Sequence, residues 1–487
     1  MSPTPLIGRI PASALWLAPV VLVSLLTGYW VDHAPIVGGD TPVLVTGAQA
    51  ALDCIGQGIW TSCGENPPAR VNEYYSSLVG PWPPLQYVPV AAMLEAGLDA
   101  HVMTGLALLS IAALLGSLWL AWAVGRRVSV PVAVGLVVLA LSGPLLYYAV
   151  NTFGESLASG LGCAFVAALV LRPRVALVAG TAFAAALTKE TAAPFVAAIA
   201  LVIAFAPATR DPLATRARLA GAAIGCVLAL AAHAALNVFR FGGPRNADLL
   251  QDAFRVPGLG RKLEYLAALV VSPNGGLLEY WPVAFALFAW LGVLAVVRRS
   301  WPALAVLALL GILLAGLASY HTPFGWYAWG PRLTIPWVLP LALVAVAVHG
   351  RELDATLRWL LRPRLAVPVL AVLVALAAAP HLGVLFDGSA ATELFNPAKG
   401  ECAVPGARIG DDQYYRCVSE QAWERQAVQI SALGGLKSPR GALFLGVLGL
   451  AALALLELAR REGPGEPPGR PARQRSAPAK KAVTRRV

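Results

Sequence analysis

About twelve apolar segments, separated by connections of which every second one is short and basic, constrain this chain more than any other feature. The segments lie near 12–30, 102–124, 129–149, 155–171, 175–188, 191–207, 219–239, 277–297, 302–320, 333–349, 366–384 and 441–459. Runs such as 219–238 and 365–379 are too apolar for surface helices of a globular domain. Most approach the roughly 20 residues that a bilayer crossing requires. The pair 175–188 and 191–207 also reads as one broken element. Charged residues make up 13% of the chain, against about 25% in soluble proteins, and hydrophobic residues 58%. The predicted fold is all-α: a polytopic transmembrane helix bundle of about twelve spans.

The basic connections set the orientation. Arg126-Arg127, Arg172 with Arg174, Arg210 to Arg218, Arg298-Arg299, Arg351 to Arg364 and the tail from Arg460 are short and positive. The positive-inside rule places them in the cytoplasm. Residues 31–100, 150–154, 188–191, 240–276, 321–332 and 385–440 then face outward from a plasma (inner) membrane, on its periplasmic or extracellular side, with both termini inside. The segment 12–30 reads as a first membrane helix, because Asp32-His33-Ala34-Pro35 offers no small-residue cleavage site. Residues 1–460 form one membrane domain with outer loops at 31–100, 240–276 and 385–440. Residues 461–487 form a basic, disordered tail suited to anionic lipid. The net charge of +11 is explained by these inner loops and the tail, so no nucleic-acid partner is expected.

Chemistry is expected on the outer face, where side chains can converge. Few charged residues lie deep in the spans, unlike the midplane sites of ion-coupled carriers. Cys54 and Cys63 fall in the first outer loop, Cys402 and Cys417 in the last. Paired cysteines in exported loops predict local disulfides, with metal binding as the rival reading. Cys163 and Cys226 lie in apolar spans, as buried thiols do.

Asp40, in Val37-Gly38-Gly39-Asp40-Thr41-Pro42 just after the first segment, is either a catalytic carboxylate or a cap for the interfacial helix predicted at 44–52. Glu155 opens the fourth span. It either complements the helix dipole or helps hold an acceptor or a cation. Lys189, beside Glu190, either binds a lipid phosphate or snorkels to the interface. The turn His321-Thr322-Pro323-Phe324-Gly325-Trp326-Tyr327-Ala328-Trp329-Gly330-Pro331-Arg332 ends in a guanidinium suited to phosphate oxygens. Its alternative is an aromatic belt with an interfacial Arg. No nucleotide-binding signature is present.

Together these residues resemble the GT-C superfamily of integral-membrane glycosyltransferases, which use polyprenyl-phosphate sugars. The resemblance rests on Gly39-Asp40 after the first helix, Trp82-Pro83-Pro84-Leu85 before the second, Glu155 before the fourth and Trp329-Gly330-Pro331-Arg332 before a late span. Ser272-Pro273 followed by Gly275-Gly276 adds a turn seen in bacterial members. It implies an inverting transfer on the outer face to a cell-envelope glycan, lipid or protein acceptor. Asp40 would be the general base and Glu155 would position the acceptor. Arg332 and Lys189 would bind the donor phosphate. Candidates to line the substrate are His321, Trp326, Trp329, Glu190, Tyr75 and Trp82. Some branches use a divalent cation and others none, so a metal stays open. The chain departs from the pattern in following Asp40 with Thr41 rather than a second acid. It also lacks a large soluble C-terminal domain, which leaves loop 385–440, with Tyr414-Tyr415 and Trp423, as the candidate acceptor-selecting element. The competing reading is a non-enzymatic glycolipid or polysaccharide translocase, or an envelope-assembly protein.

Overall fold

The computed structural model describes residues 41–63, 84–152, 154–189, 191–209, 211–244, 256–320, 322–325, 329–363, 365–386, 412–424 and 426–461. Every described element is helical. In chain order they are α1 (Thr41–Gly56), α2 (Pro84–Glu95), α3 (Val102–Arg126), α4 (Val130–Leu141), α5 (Leu145–Ala149), α6 (Glu155–Leu171), α7 (Val175–Ala186), α8 (Ala192–Phe205) and α9 (Pro212–Phe241). They continue as α10 (Leu259–Val271), α11 (Leu277–Tyr280), α12 (Pro282–Val297), α13 (Trp301–Ser319), α14 (Ile335–Leu361), α15 (Ala366–Phe386), α16 (Asp412–Glu424), α17 (Ala427–Lys437) and α18 (Pro439–Arg461). Among the described residues, five stretches are long and apolar enough to cross a bilayer: Asp99–Arg126, Pro212–Phe241, Trp301–Ser319, Ala366–Phe386 and Pro439–Arg461. The chain is an integral membrane protein.

Every apolar segment predicted from 102–124 onward holds a helix, but three differ in form. Segment 129–149 breaks at Ser142-Gly143-Pro144 into α4 and α5. Segment 277–297 breaks at Trp281, whose indole N–H donates to the Leu139 carbonyl at 2.7 Å. Segment 333–349 runs on to Leu361 past a non-helical His349 (φ −132°, ψ 23°). The pair 175–188 and 191–207 forms two helices, with Lys189 in the turn between them. The 12–30 segment, the stretch 387–411 and the tail 462–487 lie outside the described residues.

The two ends of the bundle are built differently. At one end helices start on a polar cap followed by proline. Ser129 accepts from Val132 N–H, Asp211 from Leu213 N–H and Ser300 from Ala303 N–H. Each cap satisfies a donor that the first turn leaves orphaned, and proline there costs no hydrogen bond. The arginines gather at this same end. The Arg127 guanidinium donates to the Val170 and Leu171 carbonyls, and Arg218 to those of Leu169 and Thr209. The 17 residues of α6 carry the chain about 25 Å from there to Glu155 at the opposite end.

Small residues let α9 and α7 approach closely. A Cβ on Gly221 would lie 2.8 Å from the Val175 carbonyl, and one on Gly225 would strike the Ala179 carbonyl and the Ala182 methyl. This small-xxx-small spacing lets α9 lie against α7, since lipid supplies no hydrophobic drive between helices. The contact places the outer end of α9 beside the α7–α8 turn, where a His233 ring nitrogen lies 3.0 Å from the Ala186 carbonyl.

Candidate functional site

The end of the bundle opposite the basic connections gathers charges where an apolar chain has few to place. Glu155 is the first residue of α6, and Arg332 stands three residues before α14. Separated by 177 positions, they meet as a buried ion pair: Arg332 Nε donates to Glu155 Oε1 at 2.7 Å. Glu155 is 3% exposed and Arg332 8%. Glu155 Oε2 is buried with no hydrogen-bond partner among the described residues.

Lys189 joins them from the α7–α8 turn, outside the helices. Protein surrounds its ammonium, and that desolvation pulls its pKa down to about 8. The Glu155 charge opposes the shift and the Arg332 charge adds to it. The half-buried lysine sits in the field of the ion pair. One carboxylate against two cations leaves a positive excess among these three residues, the arrangement that suits an anion.

The turn carrying Arg332 is held from below. Trp329 is fully buried; its indole N–H donates to His381 Nδ1 at 2.9 Å, and its carbonyl accepts from the Tyr148 hydroxyl at 2.8 Å. Tyr280 packs edge-on against the Trp329 ring at 4.9 Å, and Tyr147 lies at 6.3 Å. These contacts pack the Trp329 ring in the bundle and fix the backbone before Arg332. Gly330 adopts φ +68°, and a Cβ there would collide with the Tyr280 ring. Replacing Gly330 by Ala is expected to cost about 2–4 kcal/mol, from left-handed strain plus the clash. Thermal unfolding of the purified protein checks this; an unchanged midpoint would refute it.

The Ser272–Gly276 turn does not reach toward open space. Asn274 donates to the Gln421 carbonyl and accepts from the Tyr280 hydroxyl, locking the turn between α16 and the Trp329 cluster. Tyr414 and Tyr415 are buried, and Tyr265 donates to the Tyr415 carbonyl. They pack α16 onto α10 rather than offering an acceptor surface; Trp423 remains 38% exposed.

Of the first outer loop, residues 41–63, with α1, and 84–100, with α2, are described. Cys54 and Cys63 form a disulfide. The Cys63 N–H donates to the Phe239 carbonyl at 2.8 Å, pinning the loop to the outer end of α9. Cys417 is also disulfide-bonded, whereas Cys163 and Cys226 are free and buried. Asp40, Tyr75, Trp82, Glu190, His321, Trp326 and Cys402 lie outside the described residues. Among the described residues no three His, Cys, Asp or Glu side chains converge as a metal site.

Reading by residue type missed Tyr147, Tyr148, His233 and His381. The two histidines had a signal: an ionisable residue within an apolar run is rarely idle.

Replacing Lys189 by Met is expected to stabilise the ligand-free protein by about 2 kcal/mol below pH 8 while weakening anion binding. A lysine whose folded pKa falls below its ordinary 10.5 binds fewer protons folded than unfolded between about 8 and 10.5. The native protein should therefore gain stability across that window, whereas the methionine variant should not. Unfolding midpoints measured against pH for both proteins decide it; parallel curves would remove Lys189 from the site.

Neither a protein-family model nor a characterised protein matches this chain by sequence. Two solved structures resemble it in shape. ArnT from Cupriavidus metallidurans bound to undecaprenyl phosphate has 15% sequence identity and a TM-score of 0.47, over 92% of this chain and 79% of that one. The apo state of the same protein has 17% identity and a TM-score of 0.45, over 92% and 78%.

Proposed function

We propose that this chain is a membrane glycosyltransferase that moves a sugar from a polyprenyl-phosphate donor to a cell-envelope glycan, lipid or protein acceptor on the outer face, with inversion at the anomeric carbon. The observation that carries the reading is the buried Arg332–Glu155 pair with Lys189 in its field. The site lies at the end of the bundle away from the basic connections, where a lipid phosphate can enter from the bilayer.

In this reading the acceptor hydroxyl attacks the anomeric carbon as the bond to the phosphate oxygen breaks. The hydroxyl proton passes to Asp40, and the electron pair leaves with polyprenyl phosphate. Arg332 and Lys189 stabilise the charge that grows on the departing phosphate, in a site where desolvation strengthens each contact. Glu155 does two things: Oε1 holds Arg332, and Oε2 remains to accept from the acceptor hydroxyl. Asp40 immediately precedes α1, whose far end is tied to the outer end of α9.

The test compares cells with and without the protein by mass spectrometry of polyprenyl-phosphate sugars and envelope glycans. Loss of one sugar from the envelope, with build-up of the matching lipid-linked sugar, is expected and would name the sugar. An unchanged glycan composition with less material outside would favour a translocase instead.

A further inference from the structure

At the end of the bundle opposite Glu155, the structure holds a second site that the transferase reading does not use. A cavity of about 660 Å³ opens where the end of α12 meets α14 beyond its bend, lined by Trp290, Val293, Val297, Arg298, Arg351 and Trp359 among others. Two unusual backbone positions lie next to its lining in the chain. Arg299 takes φ +50°, turning the chain sharply after α12, and His349 breaks α14. The His349 ring nitrogen and Ser300 hydroxyl lie 2.8 Å apart, so the two irregular points brace each other. Strained backbone that the surroundings maintain is a reason to look for function.

The lining is split in character. Val293 and Val297 are 57% and 74% exposed, forming an apolar flank toward lipid. Arg298 and Arg351 are exposed at the polar rim, and neither makes an ion pair among the described residues. One carboxylate, Glu352, also lines the cavity and lies 3.7 Å from His349 Nδ1, so the lining keeps a net positive charge from its two arginines. Trp290 and Trp359 flank the opening, as indoles do at headgroup depth.

We propose that this cavity binds one anionic glycerophospholipid from the leaflet at that end. Its phosphodiester would lie between Arg298 and Arg351, and an acyl chain along Val293 and Val297. Two guanidiniums match a phosphate in charge and geometry, and the apolar flank requires a chain. The basic segment 461–487 is excluded as occupant by like charge.

The test uses the full-length protein in phosphatidylcholine nanodiscs, with and without phosphatidylglycerol, read by unfolding midpoint and by native mass spectrometry. The intact protein should gain stability with phosphatidylglycerol and retain one such lipid. Arg298→Gln/Arg351→Gln should bind it about thirtyfold more weakly, the loss expected for two phosphate-facing charges. Ala355→Trp, which fills the cavity and keeps both arginines, should abolish the retained lipid, and it keeps the test decisive if the first variant misfolds. Arg172→Gln/Arg174→Gln, at the same end but outside the cavity, should respond as the intact protein does. An equal response from all variants would overturn the proposal as general surface charge. Soluble glycerol phosphate giving the full shift would overturn the lipid as occupant.

Discussion

Arg332→Ala is expected to unfold at least 3 kcal/mol more easily than the native protein and to lose activity by about 10²–10³-fold. The two losses have different origins. Stability falls because Glu155, at 3% exposure, is left as a buried carboxylate whose partner has gone. Removing one member of a buried pair costs about 3–5 kcal/mol, more than the pair contributes intact. Activity falls because the phosphate loses its planar donor. Glu155→Ala combined with Arg332→Ala separates the effects: stability should recover in part, since no orphaned charge remains, while activity stays low. Arg332→Lys should not rescue turnover, because an ammonium cannot hold Glu155 through one edge and offer a second donor plane to phosphate. Chemical denaturation and donor turnover across the four proteins are the measurements. Native-like turnover in Arg332→Ala would remove the guanidinium from the chemistry and leave the pair a structural strut.

What the sequence shows of this architecture follows from how local each feature is. Helix positions are legible because burial in lipid demands continuous apolar runs, and the starts at Ser129, Asp211 and Ser300 carry their own caps. The break before α12 has a local signal in Pro282, which disfavours helical geometry at Trp281; the anchoring of that indole on Leu139, 142 residues away, is tertiary. The bend at His349 likewise depends on Ser300 from the preceding connection. The site divides in the same way. Glu155, Lys189 and Arg332 stand out individually, each a charge at an outer helix end. That Arg332 pairs with Glu155 is a tertiary fact that no spacing encodes. That Trp329 packs among His381, Tyr280 and Tyr148 is tertiary in the same sense.

Asp40→Asn is expected to lower turnover by about 10²–10⁴-fold, the range a general base contributes, with donor binding unchanged. Asparagine has the same shape and cannot accept the acceptor's proton at any working pH. In the proposed mechanism the phosphate contacts lie on Arg332 and Lys189, so affinity for the lipid-linked donor should hold. This substitution also separates chemistry from structure. Asp40 directly precedes α1 (Thr41–Gly56), a position where a capping side chain is favoured. Asparagine caps a helix about as well as aspartate, whereas alanine costs about 1 kcal/mol. A base and a cap therefore predict opposite patterns. If Asp40 is the base, Asn and Ala variants are both inactive and only the Ala variant is less stable. If it is a cap, the Asn variant is native in every respect and the Ala variant loses stability alone. Turnover of lipid-linked donor, with unfolding midpoints for the same three proteins, distinguishes them. Full activity in Asp40→Asn would move the search for the base to Glu155, whose Oε2 is the remaining buried carboxylate oxygen of the described site with no partner among the described residues.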